Sequence, residues 1–143
     1  MIDSILLVDD EDLFHLVFED SCSLLDITLS LRSLNSADEA AKLFAEWQKD
    51  PTNRPECVFV DLNIIGSSFD GIELIRKVNF EYGNHVVIGI ISSSNEPEEQ
   101  AKAVQAGAQF WIIKSDEIEP RLEEFKKDYD GFKNRTQPFK VYK

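Results

Sequence analysis

The chain has little of what staples, spans or breaks a fold. Its 143 residues hold two cysteines, Cys22 and Cys57, and two histidines, His15 and His85. Neither cysteine has further ligands at metal spacing, so a disulfide framework and a zinc site are both excluded, and two buried free thiols are the expectation. Both histidines lack nearby cysteine or acid at useful spacing and are read as surface or core residues. No apolar run reaches membrane length and no secretory segment opens the chain, so a soluble, cytoplasmic protein without membrane contact is expected. Basic residues are scarce: 15 Lys and Arg stand against 27 Asp and Glu, a formal charge of −12, which argues against nucleic acid as a direct partner. Repeats and low-complexity segments are absent. The length suits one domain with a core of its own.

What is present is an alternation. Five short apolar runs, 4–9, 27–33, 57–61, 86–91 and 110–113, are separated by helical patterns, which predicts an α/β fold with a parallel sheet. Four of the runs are nearly continuous Ile, Leu, Val and Phe, as expected when helices cover both faces. Segment 27–33 alternates instead, with Ile27, Leu29 and Leu31 against Thr28, Ser30 and Arg32, which suits an edge strand. Ser36 and Glu39 form a capping box for a helix over 37–49 that Pro51 and Pro55 close. Asp70-Gly71 opens the next helix, with a stripe of Ile72, Ile75 and Val78. Pro97 opens a fourth that runs to Gly107. Ile118, Leu122, Phe125 and Tyr129 mark the last, and the first spans roughly 12–23.

Chemistry gathers at the carboxyl ends of the predicted strands. Asp9 and Asp10 end the run Ile5-Leu6-Leu7-Val8, and Cys57-Val58-Phe59-Val60 ends at Asp61. Carboxylates so placed resist ionisation together unless a cation sits among them, which predicts a divalent-metal pocket. Ser92 and Lys114 end the fourth and fifth strands, in the crevice where open parallel sheets bind ligands. One such Asp would say little, but acid pair, acid, hydroxyl and ammonium in that order fit phosphoryl transfer. An Asp carboxylate can attack phosphorus, magnesium or manganese can offset its charge, and the ammonium and hydroxyl can hold the phosphoryl oxygens.

These segments resemble the receiver domain of two-component response regulators. The likeness spans residues 4 to about 130 and rests on ILLVDDED at 5–12, CVFVDLN at 57–63, DGIELIR at 70–76, VVIGIISSS at 86–94 and AGAQFWIIK at 106–114. The interval of 22 residues from Ser92 to Lys114 is the family's spacing between its switch hydroxyl and its lysine. The resemblance implies a doubly wound, flavodoxin-like (βα)5 fold with a five-stranded sheet in the order 2-1-3-4-5. It implies Asp61 as phosphoacceptor, Asp10 as a direct ligand of Mg2+ or Mn2+, Asp9 as a ligand through water, and the backbone carbonyl of Asn63 as another. Ser92 and Trp111 take the positions of the family's switch pair, and the face at 97–125 that of its output surface. The donor would be a sensor histidine kinase or a histidine phosphotransfer protein, and the readout a protein target.

Departures from the family pattern surround these positions. Ile64-Ile65 stand where Met-Pro is usual, Gly66-Ser67-Ser68 lengthens the loop, and Ser115 replaces the proline that commonly follows the lysine, so a trans bond is expected there. Residues 1–130 are read as the receiver. Residues 131–143 are read as a basic, aromatic tail without a separate output domain. Lys133, Arg135, Lys140 and Lys143 meet no acid there. A solvated, disordered tail is the expectation, set against the apolar Phe132, Phe139, Val141 and Tyr142, which could fold back. A phosphorylation-independent adaptor on the same fold is the alternative function. A phosphatase of the haloacid dehalogenase type ranks third, since Asn63 stands where that chemistry needs a second Asp.

Overall fold

The computed structural model describes residues 2–28, 30–64 and 70–143. Strands β1 (Ile5–Val8), β2 (Leu31–Leu34), β3 (Cys57–Asp61), β4 (Val87–Ser92), β5 (Phe110–Ile113) and β6 (Lys140–Tyr142) alternate with helices α1 (Asp12–Leu24), α2 (Ala37–Lys49), α3 (Gly71–Tyr82), α4 (Pro97–Ala106) and α5 (Glu119–Lys133). All strand pairs are parallel, and the sheet order is β2-β1-β3-β4-β5-β6. The predicted doubly wound order 2-1-3-4-5 is therefore present, with one strand more than expected.

Alternation along each strand divides the core in two. Leu6, Val8, Val58, Val60, Ile88 and Ile90 face α2, α3 and α4, while Ile5, Leu7, Phe59, Val87, Ile91 and Phe110 face α1 and α5. This is the period-two geometry of a sheet buried on both sides. On the α1/α5 face the rings of Phe18, Phe59, Phe110 and Phe125 pack at centroid separations of 4.6–5.3 Å. Gly89 makes room for them, because a Cβ there would lie 2.6 Å from the Phe110 ring. Ser36 caps α2 by accepting the Glu39 N–H at 3.1 Å, as the capping box predicts. Cys22 and Cys57 are buried free thiols, and burial pushes Cys22 up to about 12.

Two expectations change. The second strand does not run over 27–33: it spans Leu31–Leu34, and Thr28 makes only an isolated bridge to Ile2. Asp26 at φ 50° turns the chain after α1, and Ile27 is spent packing beneath it. Leu31 and Leu34, three apart, then lie on opposite sheet faces and touch opposite halves of the core. Leu29 lies outside the described residues.

The end of the chain is ordered rather than a solvated tail. The N–H groups of Thr136 and Gln137 close on the carbonyl of Gly131, Arg135 takes φ 62°, and β6 then pairs with β5 with Trp111 opposite Val141. Tyr142 is buried, its hydroxyl donates to Asp128 at 2.7 Å, and Lys140 bridges Asp128 and Glu124 at 2.9 Å each. The apolar residues of this segment had a surface to cover, the bare edge of β5 beside α5. Among the described residues no helix is long and apolar enough to cross a membrane.

Candidate functional site

The predicted polar residues converge at the carboxyl edge of the sheet. Asp9 follows β1 directly, and its N–H donates to the carbonyl of Leu34 at 3.0 Å, which ties it to the neighbouring strand end. Asp61 is the last residue of β3 and Ser92 the last of β4, while Lys114 follows β5. The Lys114 N–H donates to the Ser92 carbonyl at 2.7 Å, so the fourth and fifth strand ends are stitched together. Asp9 and Ser92 are wholly buried and Asp61 nearly so.

Behind Asp61 the fold is tight. Gly71 opens α3 with its N–H on the carbonyl of Leu62 at 3.1 Å, and a Cβ at Gly71 would lie 2.1 Å from the carbonyl oxygen of Asp61. Only glycine lets the helix start this close to the acidic strand end. Asp70 caps the helix, accepting from the Glu73 N–H at 2.9 Å. Asn63 is exposed just beyond the strand and Ile64 is buried, while residues 65–69, which include the lengthened loop, lie outside the described residues.

The Lys114 ammonium is the cation at the centre. It lies 2.8 Å from Asp9 Oδ2, 2.7 Å from Glu11 Oε1 and 3.9 Å from Asp61 Oδ2, and it sits 4.5 Å from the centroid of the Phe14 ring. Asp9 Oδ1 accepts from the Glu11 N–H at 2.8 Å, and the Asp9 carbonyl meets His15 Nε2 at 2.6 Å. Asp9 Oδ2 is buried against that ammonium and meets no other hydrogen-bond donor among the described residues.

Charge is out of balance here. Burial, and after it the neighbouring Asp9 charge, push Asp61 up to about 7 against the opposing pull of Lys114, with Asp10 and Glu11 adding to the rise. Burial also raises Asp9, despite its bonds to Lys114 and the Glu11 N–H. Burial works against the charge on Lys114, but Asp9, Glu11 and Asp61 outweigh it and hold the ammonium above its usual range. One ammonium thus faces an excess of carboxylates that repel one another.

Oxygens of Asp9, Glu11 and Asp61 lie within 4.8 Å of one another, a set of hard donors that fits a divalent cation such as Mg2+ or Mn2+. The raised acids, each destabilised by burial among like charges, agree with that fit. Sequence reasoning picked Asp9 and Asp61 but passed over Glu11, which completes the cluster. Its signal was an acid directly after Asp9-Asp10, at the threshold of α1. Asp10 is partly buried beside the cluster and acts on Asp61 through its charge.

Ser92 Oγ accepts from the Ser94 N–H at 3.2 Å, and the indole N–H of Trp111 donates to the Ser94 carbonyl at 3.0 Å. Trp111 is fully buried. The two residues expected to switch are thus joined through a single loop residue. Ser115 follows Lys114 without a cis bond, as expected in the absence of proline.

Known proteins share this architecture. A two component response regulator from Cytophaga hutchinsonii is similar at TM-score 0.77 and 24% identity, covering 93% of this chain and 98% of its own. The Mn2+-bound form of response regulator Rcp1 is similar at 0.69 and 18%, covering 91% and 93%. NtrX from Brucella abortus, in complex with ADP, is similar at 0.73 and 23%; the match covers 94% of this chain but only 29% of NtrX. These identities show a shared fold. No curated protein matches the chain. The sequence pattern of the response regulator receiver domain matches residues 5–123, and on that match, most of its length, the chain belongs to the response regulator receiver domain family.

Proposed function

We propose that this receiver is activated by phosphorylation of Asp61, taking its phosphoryl group from a histidine kinase or a histidine phosphotransfer protein. The observation that carries this reading is the position of Asp61, at a strand end within reach of Lys114 and an acidic metal pocket. In the transfer, an Asp61 oxygen forms a bond to phosphorus as the phosphorus–nitrogen bond of the donor breaks, and the imidazole leaves with that electron pair. Lys114 neutralises one phosphoryl oxygen as charge builds, and the Ser92 hydroxyl donates to another. Asp9, Asp10, Glu11, Asp61 and the carbonyl of Asn63 would hold Mg2+, which supplies charge compensation between carboxylate and phosphoryl oxygens.

A protein donor suits the surroundings. Leu13 and Leu16 on α1 are 74% and 60% exposed, and Leu13 lines, with Phe14, Val17, Ser93 and Ser115, a cleft of about 310 Å3 that reaches Lys114. Output passes by protein contact through the 97–125 face, with Ser92 and Trp111 as the switch, in the cytoplasm where two free thiols persist.

Incubation with acetyl phosphate and Mg2+, followed by intact-mass and peptide analysis, tests the reading. One hydroxylamine-labile phosphoryl group on Asp61, lost with chelator and in Asp61→Asn, is expected. An unmodified wild-type protein would overturn it.

A further inference from the structure

Lys114 does its work at the tip of a side chain, so its aim depends on how the backbone is held on both sides. Upstream, its own N–H is fixed on the Ser92 carbonyl at 2.7 Å. Downstream there is no proline ring to stiffen the chain, and a different device takes its place. Ser115 Oγ accepts from the Glu117 N–H at 3.2 Å and also from the guanidinium of Arg121, in the first turn of α5. The same nitrogen of Arg121 donates to the Glu117 carbonyl at 3.3 Å. A single guanidinium nitrogen thus ties the residue after Lys114 to the start of a helix that is anchored in the core by Leu122 and Phe125.

The arginine is placed at a cost. Its Nε is buried without an acceptor among the described residues, which an apolar or lysine side chain at the same place would avoid. Its hydrogen bonds among the described residues go to Ser115 and Glu117, whereas the carboxylates of the site are met by Lys114.

We propose that Ser115 and Arg121 form a clasp that positions Lys114 over Asp61, with Arg121 acting as a positioning residue for phosphoryl transfer. This rests on Asp61 being the phosphoacceptor. The clasp fixes the loop 115–118, the loop fixes the direction in which the Lys114 side chain projects just beyond β5, and the ammonium is thereby kept near the oxygen that receives phosphorus.

Arg121→Ala, Arg121→Lys, Ser115→Ala and the double Ser115→Ala/Arg121→Ala are compared with wild type by two readouts. The first is the rate of phosphorylation by acetyl phosphate at saturating Mg2+, beside the Mg2+ dissociation constant. Arg121→Ala and Arg121→Lys should slow the reaction on the order of tenfold, as misplacement of a charge-stabilising group does, with metal binding unchanged. The double variant should be no slower than either alanine variant alone. The second is the nitrogen-15 signal of the Lys114 ammonium, whose exchange with water should quicken in each variant. Equal rates and an unchanged ammonium signal would overturn the clasp, and so would parallel losses of rate and metal binding. If wild type takes no phosphoryl group, the assignment of Asp61 fails, and the ammonium signal alone then decides whether the clasp holds Lys114.

Discussion

Burial and the adjacent Asp9 charge bring Asp61 up to about 7, so near neutrality the metal-free protein holds this acid partly protonated. Its folded value lies above its unfolded one. The associated stability is therefore present in full below about pH 4 and is lost as pH rises to about 7. Metal-free protein should lower its urea midpoint across that window, Asp61→Asn should flatten the slope, and Mg2+ should recover stability most at pH 7.5. Metal binding must expel the proton, so apparent Mg2+ affinity should rise with pH and level off above about 7. Isothermal titration in buffers of different ionisation enthalpy would detect the released proton. Gly71 offers a second residue-scale outcome. With a Cβ destined to lie 2.1 Å from the Asp61 carbonyl, Gly71→Ala must push α3 off the strand end. A loss of about 2–4 kcal/mol is expected by chemical denaturation, together with slower phosphorylation.

Single elements also make separable contributions. Ser36→Ala removes the acceptor of the Glu39 N–H at the start of α2 and should cost about 1 kcal/mol in chemical denaturation, with phosphorylation untouched. This cap was legible in the sequence because a capping box is a local signal. So were the buried strands, whose unbroken apolar runs leave few other structures open, and with them Asp9, Asp61, Ser92 and Lys114, each fixed by the run it ends. Glu11 was not legible, since an acid before a helix is common and only the fold brings it to 2.7 Å from Lys114. The alternation of Ile27, Leu29 and Leu31 misled for a related reason. An edge strand has one neighbour, so its alternation is weakly enforced, and its register depended on the turn at Asp26. β6 was hidden because three residues after Gln137-Pro138 carry no periodicity. Its pairing exists only where β5 presents an uncovered edge.

At the scale of the molecule, β6 is stabilised both by apolar contact and by charge. Burial disfavours the charge on Asp128, but hydrogen bonds from Tyr142 and Lys140 outweigh it and keep the carboxyl below its usual range. Removing residues 135–143 strips away Tyr142, packed 5.9 Å from the Phe125 ring, and leaves Asp128 without either partner. The truncated protein should lose about 2–4 kcal/mol by chemical denaturation, in keeping with one buried aromatic residue and its bonds. Asp61 should still accept phosphate, because β6 pairs with residues 110–112 and not with the strand ends of the site.

The same strand decides which backbone groups the sheet leaves open to other molecules. With β6 in place, the sheet ends on one side in four residues that include Arg32 and on the other in three that include Lys140. Short, charged borders of this kind are poor templates for a strand from another chain. Without β6, the border becomes Phe110-Trp111-Ile112-Ile113, apolar and uncharged. Residues 140–142 thus replace an apolar seam with a short, charged one at this border of the sheet.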